Sequence, residues 1–155
     1  MNHYSIYSAG NFITTNHTLG IHNPYDHSLV ATTYLADETI LEEAIAKALS
    51  IKETLQNLSP QKKHHILKQI SNEIYANRKK LAEILSLESA KPLKYALAEI
   101  DRSAYTFSIA AEESKKDNTE HLTLNRINNT DQREGIVEYF PIGLIAGIAP
   151  FNFPM

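Results

Sequence analysis

The 155-residue chain contains no cysteine and no tryptophan, carries only five glycines, and has no excess of positive charge. Without cysteine, a disulfide framework, a thiolate metal site and a thiol nucleophile are all excluded within these residues. A net charge of -3 and a pI near 6.1 leave no basic field for nucleic acid, so no nucleic-acid partner is expected. Apolar runs are short as well: Phe140 to Phe151 is about a dozen residues where a bilayer span takes roughly 20, and no membrane segment is expected. The opening MNHYSIYSAGNFITTN has neither the basic start nor the apolar core of a signal peptide, which points to the cytoplasm and leaves the sequons at Asn16, Asn57 and Asn128 without meaning. Gly143 and Gly147 do not make a GxGxxG fingerprint. The seven histidines include the adjacent pair His64 and His65, which face different directions on a helix, and no HExxH or compact His/Asp cluster occurs, so no metal site is expected. Internal repeats, low-complexity tracts and flexible linkers are absent too.

What is present has the makeup of one ordinary domain, 43% hydrophobic and 21% charged. HTLGIHNPYDHSLVATTYLAD holds two β-like runs around the turn signal Asn23-Pro24-Tyr25-Asp26, which predicts an extended arm or hairpin. Thr39 and Glu42 fit a capping box, and Ile40, Ala44, Ala48, Ile51, Leu55 and Leu58 recur at helical spacing, predicting one amphipathic helix over about 39 to 57. Ser59-Pro60 opens a second helical pattern, divided near Asn77 and closed before Pro92. A third runs from Leu93 to about Lys115, with Leu97, Ile100, Ala104, Phe107 and Ala111 as its apolar stripe and Lys94, Glu99, Asp101 and Glu112 on the solvated side. Glu42, Glu43, Glu112 and Glu113 read as solvated surface charge. Beyond it the period becomes strand-like: Leu122, Leu124 and Ile127 precede a polar Asn-Asn-Thr-Asp-Gln turn, and Ile136 to Phe140 resumes, a hairpin candidate.

The chain closes on GLIAGIAPFNFPM. Ile142 to Ile148 has the continuous apolar pattern of a strand covered on both faces in a parallel sheet. Pro150 and Pro154 each fix their own φ and push Ala149 and Phe153 toward extended backbone, so Asn152 is aimed by its neighbours. Two readings fit it. A carboxamide offers N–H donors without taking a charge, as suits hydrogen bonding to a transient oxyanion; equally, an Asn can satisfy the backbone of a turn.

Three segments, LESAKPLKYALAEID (Leu87 to Asp101), TFSIAAEESKK (Thr106 to Lys116) and EYFPIGLIAGIAPFNFPM (Glu138 to Met155), resemble in order and spacing the N-terminal part of the NAD(P)-dependent aldehyde dehydrogenase superfamily. Pro-Phe-Asn-Phe-Pro is the most specific element of the resemblance, which extends back through the NPYD hairpin. It implies an α/β fold: residues 1–118 an N-terminal arm and helices of the cofactor-binding domain, 119–140 a β-ribbon of the oligomerisation arm, and 141–155 the first strand of a Rossmann-like sheet with the asparagine motif. It implies, further, that Asn152 donates to the oxyanion formed when a cysteine thiolate attacks an aldehyde, and that Ile148, Ala149, Pro150 and Phe151 run along the ribose and nicotinamide end of NAD or NADP. Many members have Trp at the position of Phe151 and Gly at that of Ala90. The Phe-for-Trp choice and the wording of AAEESKK and EYFPIG resemble the branch acting on small polar aldehydes, such as lactaldehyde, glyceraldehyde 3-phosphate or succinate semialdehyde. A homodimer or homotetramer is implied for the complete enzyme.

In that family the nucleophilic cysteine, the general-base glutamate, the ribose-holding lysine and the glycine-containing cofactor turn all follow the asparagine motif. The expectation is accordingly the front portion of an aldehyde dehydrogenase; the alternative is a helical and hairpin module that binds other subunits without catalysis. Covalent aldehyde oxidation needs a nucleophile. Residues 1–155 alone are therefore expected to give no aldehyde-dependent NADH or NADPH, and formation of either by the purified chain would overturn the expectation.

Overall fold

A computed structural model describes residues 2–124 and 133–155. The order is β1 (Asn2–His3), β2 (Ile6–Ser8), β3 (Asn11–Ile13), β4 (Thr18–His22), β5 (Leu29–Tyr34), five helices, then β6 (Glu120–Thr123) and β7 (Glu134–Val137). The helices are α1 (Glu38–Ser50), α2 (Lys52–Gln56), α3 (Pro60–Ala76), α4 (Arg78–Ser89) and α5 (Leu93–Glu113).

The first hairpin forms where the turn chemistry places it. The side chain of Asn23 accepts from the N–H of Tyr25 at 2.9 Å, and the Asn23 and Ser28 backbones close the loop between β4 and β5. This is an Asx turn followed by left-handed His27, φ 59°. β4 and β5 pair antiparallel, with Leu19 opposite Thr33 and Ile21 opposite Ala31. β1 adds to the outer edge of β5 in parallel, and β2 and β3 make a separate hairpin over Ala9 and Gly10, both at positive φ as a tight primed turn requires. These three N-terminal strands were not legible in the sequence, being two or three residues long.

The helical pattern holds with two corrections. The first helix is capped by Asp37, whose Oδ1 accepts from the Ile40 N–H at 2.9 Å, so the Thr39/Glu42 capping box is not the one used. It is also interrupted at Ile51, where Ser50 Oγ bonds back to the Lys47 carbonyl at 2.7 Å and competes with the helical ladder. Ser59 caps α3 with Pro60 in its first turn, and Asn77 divides α3 from α4, as the sequence predicts.

The core lies where α3 and α4 pack on α5. Ala82, Leu85, Ala96 and Ile100 are buried together, with Ile74, Leu81 and Leu97 against them. Alanines at these positions let the helix axes approach closely. Along a second edge of α5, residues at helical spacing on α3 reach three polar partners in antiparallel order: His64 Nδ1 to the Ala111 carbonyl at 2.9 Å, Lys68 Nζ to Ser108 Oγ at 2.9 Å, and Ser71 Oγ to the Ala104 carbonyl at 2.7 Å. Arg78, at the start of α4, forms a two-pronged pair with Asp101 of α5, its Nη2 at 2.7 Å from Oδ2.

β6 and β7 form the second expected hairpin, Glu120 opposite Val137 and Thr123 opposite Glu134. Ile127 and the polar turn 128–132 lie outside the described residues. The strand expected over Ile142–Ile148 is not formed: residues 138–150 carry no regular secondary structure. A strand exists only as a hydrogen-bonded ladder, and no other strand among the described residues lies beside this segment. Ile142, Ile145 and Ile148 are consequently exposed. No helix among the described residues is long and apolar enough to cross a membrane.

Two stability predictions follow from α4 and its neighbours. Ala90, which ends α4, sits at φ 54° in the left-handed region. That conformation costs a Cβ-bearing residue about 1–2 kcal/mol, of which glycine's extra unfolded-state freedom offsets part, so Ala90→Gly should stabilise the fold by about 0.5–1 kcal/mol in urea titration. A lower urea midpoint would contradict this account of the cap. The Asp101 carboxyl is held below its ordinary pKa chiefly by its hydrogen bond to Arg78, which outweighs the opposing effect of burial and is assisted by the guanidinium charge. A lowered folded value means that the stabilisation is fully present above the unfolded carboxylate pKa and is lost as pH falls through the folded value. The stability difference between wild type and Asp101→Asn should therefore be constant near neutrality and shrink on acidification below about pH 4. A difference that grew with acid would reverse the assignment.

Candidate functional site

Three elements converge on the asparagine motif at residues 150–155: the end of α4, the connection 90–92 and the first three turns of α5. The connection is tightly specified. Ser86 Oγ donates to the Lys91 carbonyl at 2.7 Å, the Lys91 N–H donates to Ser89 Oγ at 3.3 Å, Ala90 supplies the left-handed turn, and Pro92 fixes the next φ at −53°. Lys91 thus leaves the backbone in one direction, with a side chain only 17% exposed.

Its ammonium meets three partners. It pairs with Glu99 Oε2, donates to the backbone carbonyl of Asn152 at 2.7 Å, and stands 4.8 Å from the centroid of the Phe153 ring. Arg102, one turn beyond Glu99 on α5, covers the same ring with its guanidinium carbon at 4.6 Å from the centroid. The other oxygen of Glu99 accepts the N–H of Met155 at 3.1 Å. Glu99 itself is 3% exposed, which corrects its placement on the solvated side of α5. The reason is positional: it follows Ala96 by three residues and precedes Ser103 by four, so it lies on the buried stripe, and its charge is met there by Lys91.

Pro150 to Phe153 makes a turn closed by the Phe153 N–H on the Pro150 carbonyl at 3.3 Å. That closure is entirely backbone. The carboxamide of Asn152 plays no part in it, is exposed, and has no hydrogen-bond partner among the described residues. The turn-satisfying role open in the sequence is thus not the one the side chain performs in this structure. Ile148, Ala149, Pro150 and Phe151 lie on the outer side of the same segment, with Ile148 97% and Phe151 92% exposed. Farther back, Pro141 and Gly143 to Ile145 line an apolar cleft with the α1–α2 junction, and Gly143 adopts φ +103° beside the Lys52 side chain.

Sequence reasoning singled out Asn152 and its flanks but not Lys91 and Glu99, which hold the backbone of the same motif. The signal for Glu99 was available in the helical spacing from Ala96, Ile100 and Ser103; that for Lys91 lay in its position between a helix end and Pro92. Among the described residues no three His, Cys, Asp or Glu side chains come together as a metal site would require.

Comparison with known proteins places this geometry. The aldehyde dehydrogenase family model matches residues 12–155. A lactaldehyde dehydrogenase of Methanococcus aeolicus is 31% identical over 135 residues, which cover 87% of this chain and 28% of the relative. A 3-sulfolactaldehyde dehydrogenase of Priestia aryabhattai is 28% identical over 98% of this chain and 31% of its own length. Aldehyde dehydrogenase 21 from Physcomitrella patens, solved in complex with the reaction product succinate, superposes with a TM-score of 0.93 at 28% identity, covering 99% of this chain and 32% of that one. The chain spans less than a third of the length of each of these relatives.

Proposed function

Since the chain belongs to the aldehyde dehydrogenase family, we propose that it forms part of an enzyme oxidising an aldehyde to the carboxylic acid with NAD or NADP, and that Asn152 is its oxyanion donor. The observation that carries the reading is the exposed Asn152 carboxamide, without a hydrogen-bond partner among the described residues, on a turn whose backbone is anchored by Lys91 and Glu99. A donor that makes no ground-state bond within the protein loses nothing when it turns to a developing negative charge. In this proposal the carbonyl oxygen takes the charge when a thiolate adds to the aldehyde carbon, the Asn152 N–H donates to it, and it does so again when water adds to the thioester. The attacking cysteine and the base that activates water belong, in this proposal, to the part of the enzyme that the relatives have beyond the matched region.

Bound NAD or NADP supplies the hydride acceptor. Ile148, Ala149, Pro150 and Phe151 fit contact with its ribose and nicotinamide end: they form an exposed, mostly apolar run without a charged side chain, bounded by the turn that presents Asn152. Residues 1–118 are assigned to the arm and cofactor-domain helices, 119–140 to an oligomerisation ribbon, and 141–155 to the segment that becomes the first sheet strand once neighbouring strands are present. Exposed Leu122 and Ile136 on β6 and β7 suit the ribbon to a subunit contact in a homodimer or homotetramer. The substrate proposed is a small polar aldehyde, supported by relatives named for lactaldehyde and 3-sulfolactaldehyde and by a structural neighbour that holds succinate.

In the complete enzyme Asn152→Ala should lower turnover by on the order of 10²- to 10³-fold while the cofactor still binds. If the side chain instead served the turn, the change would cost about 0.5–2 kcal/mol of stability with turnover per folded molecule nearly unchanged. Asn152→Asp should be at least as damaging as alanine, since a carboxylate repels a developing oxyanion. Near wild-type turnover in the aspartate variant would end the oxyanion assignment.

A further inference from the structure

We propose that Lys91 and Glu99 are positioning residues that hold Asn152 in register by clamping the main chain of residues 152–155 to α5. The inference rests on the reading of Asn152 as oxyanion donor and extends it to the groups that aim the donor.

The clamp grips the motif at two backbone atoms. Lys91 takes the carbonyl oxygen of Asn152 at 2.7 Å, and Glu99 takes the amide of Met155 at 3.1 Å, so the stretch Phe153-Pro154 between them is fixed at both ends. The two clamping side chains are paired with each other, which leaves neither charge uncompensated in a buried setting. The Phe153 ring lies within cation–π reach of both Lys91 and Arg102, which adds a side-chain contact to the backbone grip. None of these contacts uses the Asn152 side chain. An ammonium has three donors, and here two are spent on Glu99 and the Asn152 carbonyl, with the Phe153 ring centroid 4.8 Å from the nitrogen. The base of Lys91 is itself fixed by Ser86, Ser89, left-handed Ala90 and Pro92, so the clamp is referred to the helix scaffold rather than to a mobile loop.

Loss of Lys91 would free the Asn152 carbonyl and let the turn pivot. Misplacement by about 1 Å of a group that must meet a reacting atom costs roughly 10²-fold in rate. The test uses the complete enzyme carrying Lys91→Met, Lys91→Arg and Glu99→Gln, each also combined with Asn152→Ala. Lys91→Met should lower kcat by about 10- to 100-fold, with KM for the cofactor within about twofold of wild type. Lys91→Arg, which keeps a cation for Glu99 and donors for the carbonyl, should restore most of the loss. Glu99→Gln should act in the same direction as Lys91→Met, more weakly. In the Asn152→Ala background the Lys91→Met penalty should disappear, because there is no donor left to aim. Amide exchange at Phe153 and Met155 should accelerate in Lys91→Met. Unchanged kcat per folded molecule, or a full penalty retained beside Asn152→Ala, would overturn the positioning role and leave the Asn152 reading intact. Wild-type turnover in Asn152→Ala alone would overturn the Asn152 reading, while the exchange rates would still report whether the clamp exists. Should Lys91→Met fail to fold, Lys91→Met combined with Glu99→Gln removes both charges together and carries the same comparisons.

Discussion

A carboxylate buried on the core stripe of a helix is the constraint from which the local architecture follows. Glu99 has 3% of its surface in water, and an isolated charge there would cost several kcal/mol. The compensation has to come from within reach, and the fold supplies it from the connection that precedes α5. For Lys91 to turn back onto Glu99, α4 must stop abruptly, reverse through one left-handed residue and restart after a proline. The sequence Glu-Ser-Ala-Lys-Pro supplies these steps in order: Ser89 receives the Lys91 N–H, Ala90 makes the reversal, Lys91 carries the charge and Pro92 starts the next helix. The turn and the ion pair therefore depend on one another. Neither has a purpose in isolation, since the turn strains a residue that has a Cβ and the pair gives up hydration on both sides.

The pair also links two levels of the structure. Behind it lie Ala96 and Ile100, part of the apolar cluster with Ala82 and Leu85, and in front of it lies the strip that carries the asparagine motif. Packing in the helical layer is close because its contact residues are small, and close-packed layers transmit position with little give. A polar seam on another edge of α5, from His64 to Ser71, keeps α3 from sliding along it. The motif is thus referred, chiefly through this ion pair, to a layer whose geometry is fixed on two sides.

The parts legible in the sequence were those governed by local chemistry or by a long period. Ser59-Pro60, the Asn23 turn, the division at Asn77 and the extent of α5 each follow from residues within one or two turns of the feature. Glu99 was misplaced because residue type was weighed above position: a glutamate reads as solvent-facing unless its partner is known, and that partner lies eight residues earlier, across a chain reversal that no periodicity reports. The capping box failed for a comparable reason, since Asp37, two residues upstream of Thr39, offers the better-placed oxygen. The 142–148 segment shows the opposite limit. Its apolar run has the pattern of chain suited to burial, but pairing is a property of two strands, and strand formation cannot be read from one of them alone.

The way the motif is anchored bears on why an asparagine occupies position 152. Anchoring uses the carbonyl of residue 152, the ring of residue 153 and the amide of residue 155, and the turn is closed by main-chain atoms of 150 and 153. None of these contacts uses the side chain of residue 152. Structure therefore places no demand on the carboxamide, and an exposed Asn in a turn ordinarily bonds its own backbone, as Asn23 does here at 2.9 Å. Asn152 does not. A polar group held in position by its neighbours and given no partner of its own among the described residues is suited to a ligand that arrives from outside. The backbone anchoring explains how such a group can be aimed without being consumed: the clamp takes the main-chain carbonyl of residue 152, and the two N–H donors of the amide are left for an arriving charge.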